Sequence, residues 1–187
     1  GAKLLPVVKN RINEEIKFLY EFGFREFGEN RLADFNLHKK IYKDVDYHFI
    51  APIQSRKLKE IIKNSKYIHT ISRKKEIDIL EKLGSDCNYL IQVNIDNDPK
   101  KSGVTKNEVF RFYEYCIEKK ITAVGLMTIP DINSEPKVVF SDMHQINQKL
   151  MMDYDYKGEL SMGMSNDYEV ALDYGATIVR IGTKLFT

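Results

Sequence analysis

Ser161-Met162-Gly163-Met164-Ser165 and, one short amphipathic stretch later, Thr177-Ile178-Val179-Arg180-Ile181-Gly182-Thr183 decide how this sequence of 187 residues is read. Each is an apolar or β-branched run whose end carries a glycine with a hydroxyl residue one or two positions on. The stretch between them, residues 167–173, has room for only one short helix. Strand, helix and strand in that order make a parallel pair whose two loops emerge at the same end. Glycine in both loops lets backbone N–H groups approach an anion, as the loops after the last two strands of a (β/α)8 barrel do. The pair therefore predicts a parallel barrel with a phosphorylated ligand at its mouth.

The same alternation runs back through the chain. Short apolar or β-branched runs at residues 4–8, 24–28, 47–51, 67–71, 89–95, 123–129, 159–163 and 177–182 predict eight strands. Amphipathic stretches at 11–22, 31–42, 55–64, 73–83, 105–119, 134–152 and 167–173 predict seven helices between them. Gly23 and Gly84 sit where helices end, and Thr105 with Glu108 three residues on has the pattern of a capping box. Eight strands joined by seven helices predict an α/β fold, a (β/α)8 TIM-type barrel, with residues 1–187 as a single domain. An open doubly wound sheet would want a glycine-rich turn after the first strand, and Val8-Lys9-Asn10-Arg11 is not one. No helix is left to cover the seam between strands 8 and 1, so either a preceding helix is expected to be missing or a partner to cover it.

Composition excludes several classes of function. The 29 Lys and Arg offset 27 Asp and Glu, and the two signs are interleaved, so no basic stripe is offered to nucleic acid. Cys87 and Cys116 are isolated, which suggests neither a disulfide framework nor a zinc site and fits a cytoplasmic, reduced protein. No apolar run approaches membrane-spanning length, and Gly1-Ala2-Lys3 is not the start of a signal peptide. A monomer or weak dimer is expected.

Closure of the barrel puts strand 8 beside strand 1, so Lys9 at the end of the first is expected next to Arg180, Gly182 and Thr183. A lysine at a strand end is ordinarily a solvated charge. Beside a phosphate cradle, among cations and away from water, it is placed to attack an aldehyde as a Schiff-base lysine. Other residues have structural readings that compete or coexist with a site. Ser165 can cap the helix after it, and Asn30 can be the N-cap of a helix starting at Arg31. Gly163 and Gly182 can be close-packing positions. His48 reads as a hydrogen-bonded core histidine, and Phe18, Tyr20, Phe22, Phe24 and Phe27 read as core.

Motifs in chain order carry a resemblance. Leu4-Leu5-Pro6-Val7-Val8-Lys9, Phe27-Gly28-Glu29-Asn30, His48-Phe49-Ile50 with Gln54-Ser55, Lys101-Ser102-Gly103, Gly125-Leu126-Met127, Leu160-Ser161-Met162-Gly163-Met164-Ser165 and Val179-Arg180-Ile181-Gly182-Thr183 span nearly the whole chain. The sequence resembles the pyridoxal phosphate homeostasis proteins, which are related to the barrel domain of bacterial alanine racemases. The resemblance implies pyridoxal 5'-phosphate attached to Lys9, its phosphate on Ser165, Gly182 and Thr183, Arg180 facing the pyridine nitrogen, and Asn30 lining the ring. It implies a carrier or regulator that holds the cofactor as an imine and supplies client enzymes that depend on it. The alternative is an amino-acid racemase or decarboxylase. Related racemases add a C-terminal β domain, for which no sequence follows Thr187. A lysine aldolase is a third, weaker reading, since its lysine would stand on a middle strand. The chain departs from the family pattern at Val8, at Asn10 and at Ala51-Pro52, where the cofactor's surroundings could change, and the family's N-terminal helix is not expected within these residues.

Overall fold

A computed structural model describes residues 1–186. Thr187, the last residue of the expected domain, lies outside the described residues. Strands and helices alternate in the expected order. They are β1 (Lys3–Pro6), α1 (Asn13–Phe22), β2 (Glu26–Glu29), α2 (Leu32–Ile41), β3 (Asp46–Phe49), α3 (Leu58–Asn64), β4 (Tyr67–Ile71) and α4 (Lys74–Leu83) in the first half. β5 (Asn88–Asn94), β6 (Val104–Thr105), α5 (Val109–Glu118), β7 (Ala123–Met127), α6 (Pro136–Asp153), β8 (Glu159–Ser161), α7 (Tyr168–Asp173) and β9 (Ile178–Ile181) follow. β6 was not predicted; it is a two-residue strand on the edge of β5.

The other eight strands are all parallel, in the order β1-β9-β8-β7-β5-β4-β3-β2. The two ends of that path meet in a single parallel bridge between Val7 and Gly28, where the Val8 N–H donates to the Gly28 carbonyl at 3.1 Å. The ring is therefore nearly closed by one contact, at the C-terminal mouth. Gly125 shows how tightly the middle strands approach: a Cβ there would lie 2.1 Å from the Glu159 carbonyl oxygen.

Local signals explain most helix ends. Gly23 ends α1 at φ 120° and donates its N–H to Leu19 and Tyr20, a conformation that costs a side chain strain. Glu76 in the first turn of α4 accepts the Arg73 N–H at 2.9 Å, and Gly84 ends that helix. The capping box expected at Thr105 does not form. Thr105 pairs with Asn94 as the end of β6, so its backbone is committed to the ladder, and a short 3₁₀ turn, Lys106–Glu108, leads into α5 without a side-chain cap.

Side chains of alternate parity divide the core. Val8, Phe27, Phe35, Tyr47, Ile68, Ile91, Phe140 and Leu160 belong to a large apolar layer between barrel and helices. Leu5, Ile50 and Ile178 form a separate cluster inside the ring. Of the expected aromatic stripe, Phe27 is buried, whereas Phe18 and Phe22 are exposed at 64% and 74% and stack on one another across α1. They are surface, because the buried face of α1 is taken by Ile16 and Leu19. β1 and β9 pair over four residues, and on their outer side Ala2, Leu4, Leu172, Val179, Ile181 and Leu185 line a shallow apolar groove. Among the described residues no helix is long and apolar enough to cross a membrane.

Candidate functional site at the barrel mouth

β1 delivers Lys9 to the mouth between its two neighbours. The Val7 N–H donates to the Ile181 carbonyl at 2.8 Å, and the next residue bonds Gly28, so Lys9 emerges between the loop carrying Gly182 and Thr183 and the one carrying Asn30. The chain turns at once, and Asn10 takes φ 58°. Asparagine tolerates that left-handed backbone, whereas a β-branched residue there would be strained. Val8 is buried in the layer beneath the helices, so its departure leaves the mouth unaltered. Lys9 is exposed, which corrects the expectation of an amine held away from water: it lies in the turn beyond the last paired residues of β1.

The two loops read first in the sequence do meet. The Ser165 hydroxyl accepts the Lys184 backbone N–H at 3.3 Å, tying the loop after β8 to the turn after β9. Ser165 does not cap α7; Asp167 occupies the N-cap position and accepts the Met164 N–H at 2.7 Å. The glycines differ in role. Gly163 has φ 100° and a Cβ there would lie 2.7 Å from Ala171 Cβ, so packing demands it. At Gly182 a Cβ would meet Val7 at an ordinary 3.5 Å, so packing does not demand glycine there. Thr183 is exposed beside it.

Asn30 is not the N-cap of α2, which is Arg31. Its Oδ1 is buried at the mouth and meets no donor. An unpaired buried acceptor costs about 1–3 kcal/mol, so its placement points to a ligand rather than to the fold.

Below the mouth, alongside the apolar cluster of Leu5, Ile50 and Ile178, the barrel interior holds a file of polar side chains bonded to one another. Arg180, on the inward parity of β9, is fully buried and donates from Nη1 to Ser161 Oγ at 2.6 Å and from Nη2 to the Thr128 carbonyl at 3.0 Å. Burial pulls it down to about 10, which leaves it charged at neutral pH. Ser161 Oγ lies 2.7 Å from His69 Nδ1, His69 Nε2 lies 2.9 Å from His48 Nδ1, and His48 Nε2 lies 3.0 Å from Glu26 Oε1. Lys3 Nζ completes the file at 2.8 Å from the same Glu26 oxygen. Burial lowers both histidines below the ordinary imidazole range, His69 well below it. His48 is thus the core histidine expected. Glu26, His69 and Ser161 were not anticipated as its partners, although a polar residue on the inward parity of an otherwise apolar strand is the signal that marks all three. Among the described residues no group of His, Cys, Asp and Glu could hold a metal ion.

No protein-family model matches the chain. The pyridoxal phosphate homeostasis protein of Aquifex aeolicus is 37% identical over 196 residues, which cover 99% of this chain and 86% of that protein. The structure of PipY from Synechococcus elongatus solved without PLP superposes with a TM-score of 0.90 at 26% identity, over 100% of this chain and 93% of that one. The PipY structure with PLP bound gives 0.84 at 25%, over 100% and 92%. An alanine racemase from Clostridium difficile shares the fold alone, with a TM-score of 0.75 at 15% identity over 99% of this chain and 52% of the racemase.

Proposed function

This chain belongs to the pyridoxal phosphate homeostasis protein family, and from that premise we propose that it binds pyridoxal 5'-phosphate at the barrel mouth and buffers or delivers it without robust turnover. The observation that carries the reading is the convergence of Lys9, the unpaired buried Oδ1 of Asn30 and the open cradle of Ser165, Gly182 and Thr183 at one end of one barrel. When bound, the cofactor supplies an aldehyde and an electron-withdrawing pyridine ring. Lys9 Nζ is the amine that would hold it at the aldehyde carbon. Ser165, Gly182 and Thr183 would hold the phosphate, Asn30 would line the ring, and Arg180 would stand at the ring nitrogen. A guanidinium has donors only, so it does not favour a proton on that nitrogen, and the ring stays a weak electron sink.

The interior supports a carrier over a racemase or decarboxylase. His48 is buried between Glu26 and His69, so it cannot serve as a second proton-transfer group beside Lys9. In this reading residues 1–187 are one cofactor-binding domain that works in the cytoplasm as a monomer or weak dimer, with enzymes dependent on the cofactor as clients. Incubating the loaded protein with L-amino acids in deuterated water tests it. The α-proton signal should persist, or exchange slowly with retained configuration. Rapid exchange with racemisation or decarboxylation would replace the carrier by an enzyme.

A further inference from the structure

We propose that Glu26, His48, His69 and Ser161 form a one-directional hydrogen-bond file that positions the Arg180 guanidinium beneath the cofactor mouth. The inference rests on the proposed binding of pyridoxal phosphate at that mouth, and it assigns all four side chains as positioning residues that never touch the ligand.

The direction of the file follows from both ends independently. A guanidinium can only donate, so Ser161 Oγ accepts from Arg180 Nη1 and its own proton is left for His69 Nδ1. At the far end a carboxylate can only accept, so neutral His48 carries its hydrogen on Nε2 toward Glu26 and presents a bare Nδ1. That bare nitrogen must receive the hydrogen on His69 Nε2, which leaves His69 Nδ1 bare to receive the Ser161 hydroxyl. The two derivations meet at the same arrangement, and every bond is made once with no donor facing a donor. Reversing any one member would set two hydrogens or two lone pairs against each other inside a closed barrel.

The file is too expensive to be packing alone. Ser161, His48 and His69 are wholly shielded from water, and each such group left unpaired would lose its hydration with no return. The surroundings hold the rings in place. Tyr67 stacks on His48 at 4.4 Å with the planes 2° apart, Lys3 Nζ lies 5.5 Å over the Tyr67 ring, and the Tyr67 hydroxyl reaches toward Glu159 at 3.5 Å. Arg180 meets a hydroxyl and a carbonyl rather than a carboxylate. Its nearest anion along the file is Glu26, three hydrogen-bonded side chains away, on the first residue of β2 and partly open to solvent. Asp167, in the loop after β8, is the acid whose field reaches the guanidinium, yet no carboxylate bonds it, so its orientation is set from below.

The test begins with the full chain free of cofactor. Nitrogen-15 spectra should place the hydrogen of both His48 and His69 on Nε2, with both rings neutral across neutral pH, and Arg180 should show slowly rotating guanidinium N–H groups. A hydrogen on His69 Nδ1 overturns the file whatever the protein binds. Ser161→Ala removes the link at Arg180, and pyridoxal phosphate titrated into it should bind about tenfold more weakly or worse, the size of one charge-assisted hydrogen bond. Ser161→Thr keeps the hydroxyl and should recover most of that loss. Equal affinity in wild type and Ser161→Ala overturns the positioning role. Should Ser161→Ala fail to fold, Glu26→Leu breaks the file at its solvent end: His48 should change tautomer and affinity should fall, and no change in either overturns the proposal. A wild-type protein that binds no pyridoxal phosphate would instead overturn the binding function, with the histidine tautomers still deciding whether the file exists.

Discussion

The mouth of the barrel and its interior are both polar, but their bonds are organised in opposite ways. At the mouth Lys9 and Thr183 are exposed, Asn30 keeps a buried oxygen without a donor, and Gly182 is small where packing does not require it. In the interior, Arg180, Ser161, His69, His48 and Glu26 satisfy one another at 2.6–3.0 Å. A surface with unmade bonds is built for something absent from the chain, whereas a closed network serves the chain itself. The contrast separates residues that contact a ligand from residues that hold them.

Changes at the mouth should cost binding and leave the fold, while changes in the interior should cost both. The largest effect is expected at Lys9. Borohydride reduction of the loaded protein should fix the cofactor's mass on the peptide containing Lys9, and Lys9→Ala should abolish the label completely with little change in thermal midpoint, since an exposed strand-end lysine adds little to the core. Label on another lysine, or a collapse in stability, would break the division.

A smaller loss is expected at Thr183. Thr183→Val keeps the volume and removes a donor to a doubly charged phosphate, at about 1.5–3 kcal/mol for a charge-assisted hydrogen bond. Affinity for pyridoxal phosphate should fall much further than affinity for pyridoxal, and equal losses would make Thr183 structural.

The smallest effect sharpens the interior side. The hydrogen bond from His48, with help from Lys3, holds the Glu26 carboxyl at about 2, below its ordinary 4.5. A carboxyl depressed in the folded state stabilises fully above 4.5 and loses that contribution as pH falls toward 2. Glu26→Gln should therefore flatten the acid limb of the stability curve across that window, and an unchanged slope would detach Glu26 from the file.

Much of this was legible in the residues. The alternation of runs located all eight barrel strands, β4 at its observed bounds, because period-two apolar segments between amphipathic stretches reflect local backbone preference. Lys9, Gly182 and Thr183 could be joined on paper because parallel strands open their loops at one end. Boundaries were harder: the Thr105 and Ser165 caps were lost to a ladder and to a loop contact, competitors that lie outside the local segment.

What the sequence determined by itself is the fold class, the meeting of the last two loops at one end and the lysine beside them, since each rests on residues near one another in the chain or on the geometry that every such barrel shares. Only the tertiary structure decided the rest. Ser161 and His69 are 92 positions apart, and nothing in either segment specifies the other. Their hydrogen bond exists because the ring closes, and ring closure is a property of all eight strands packed together rather than of any one of them.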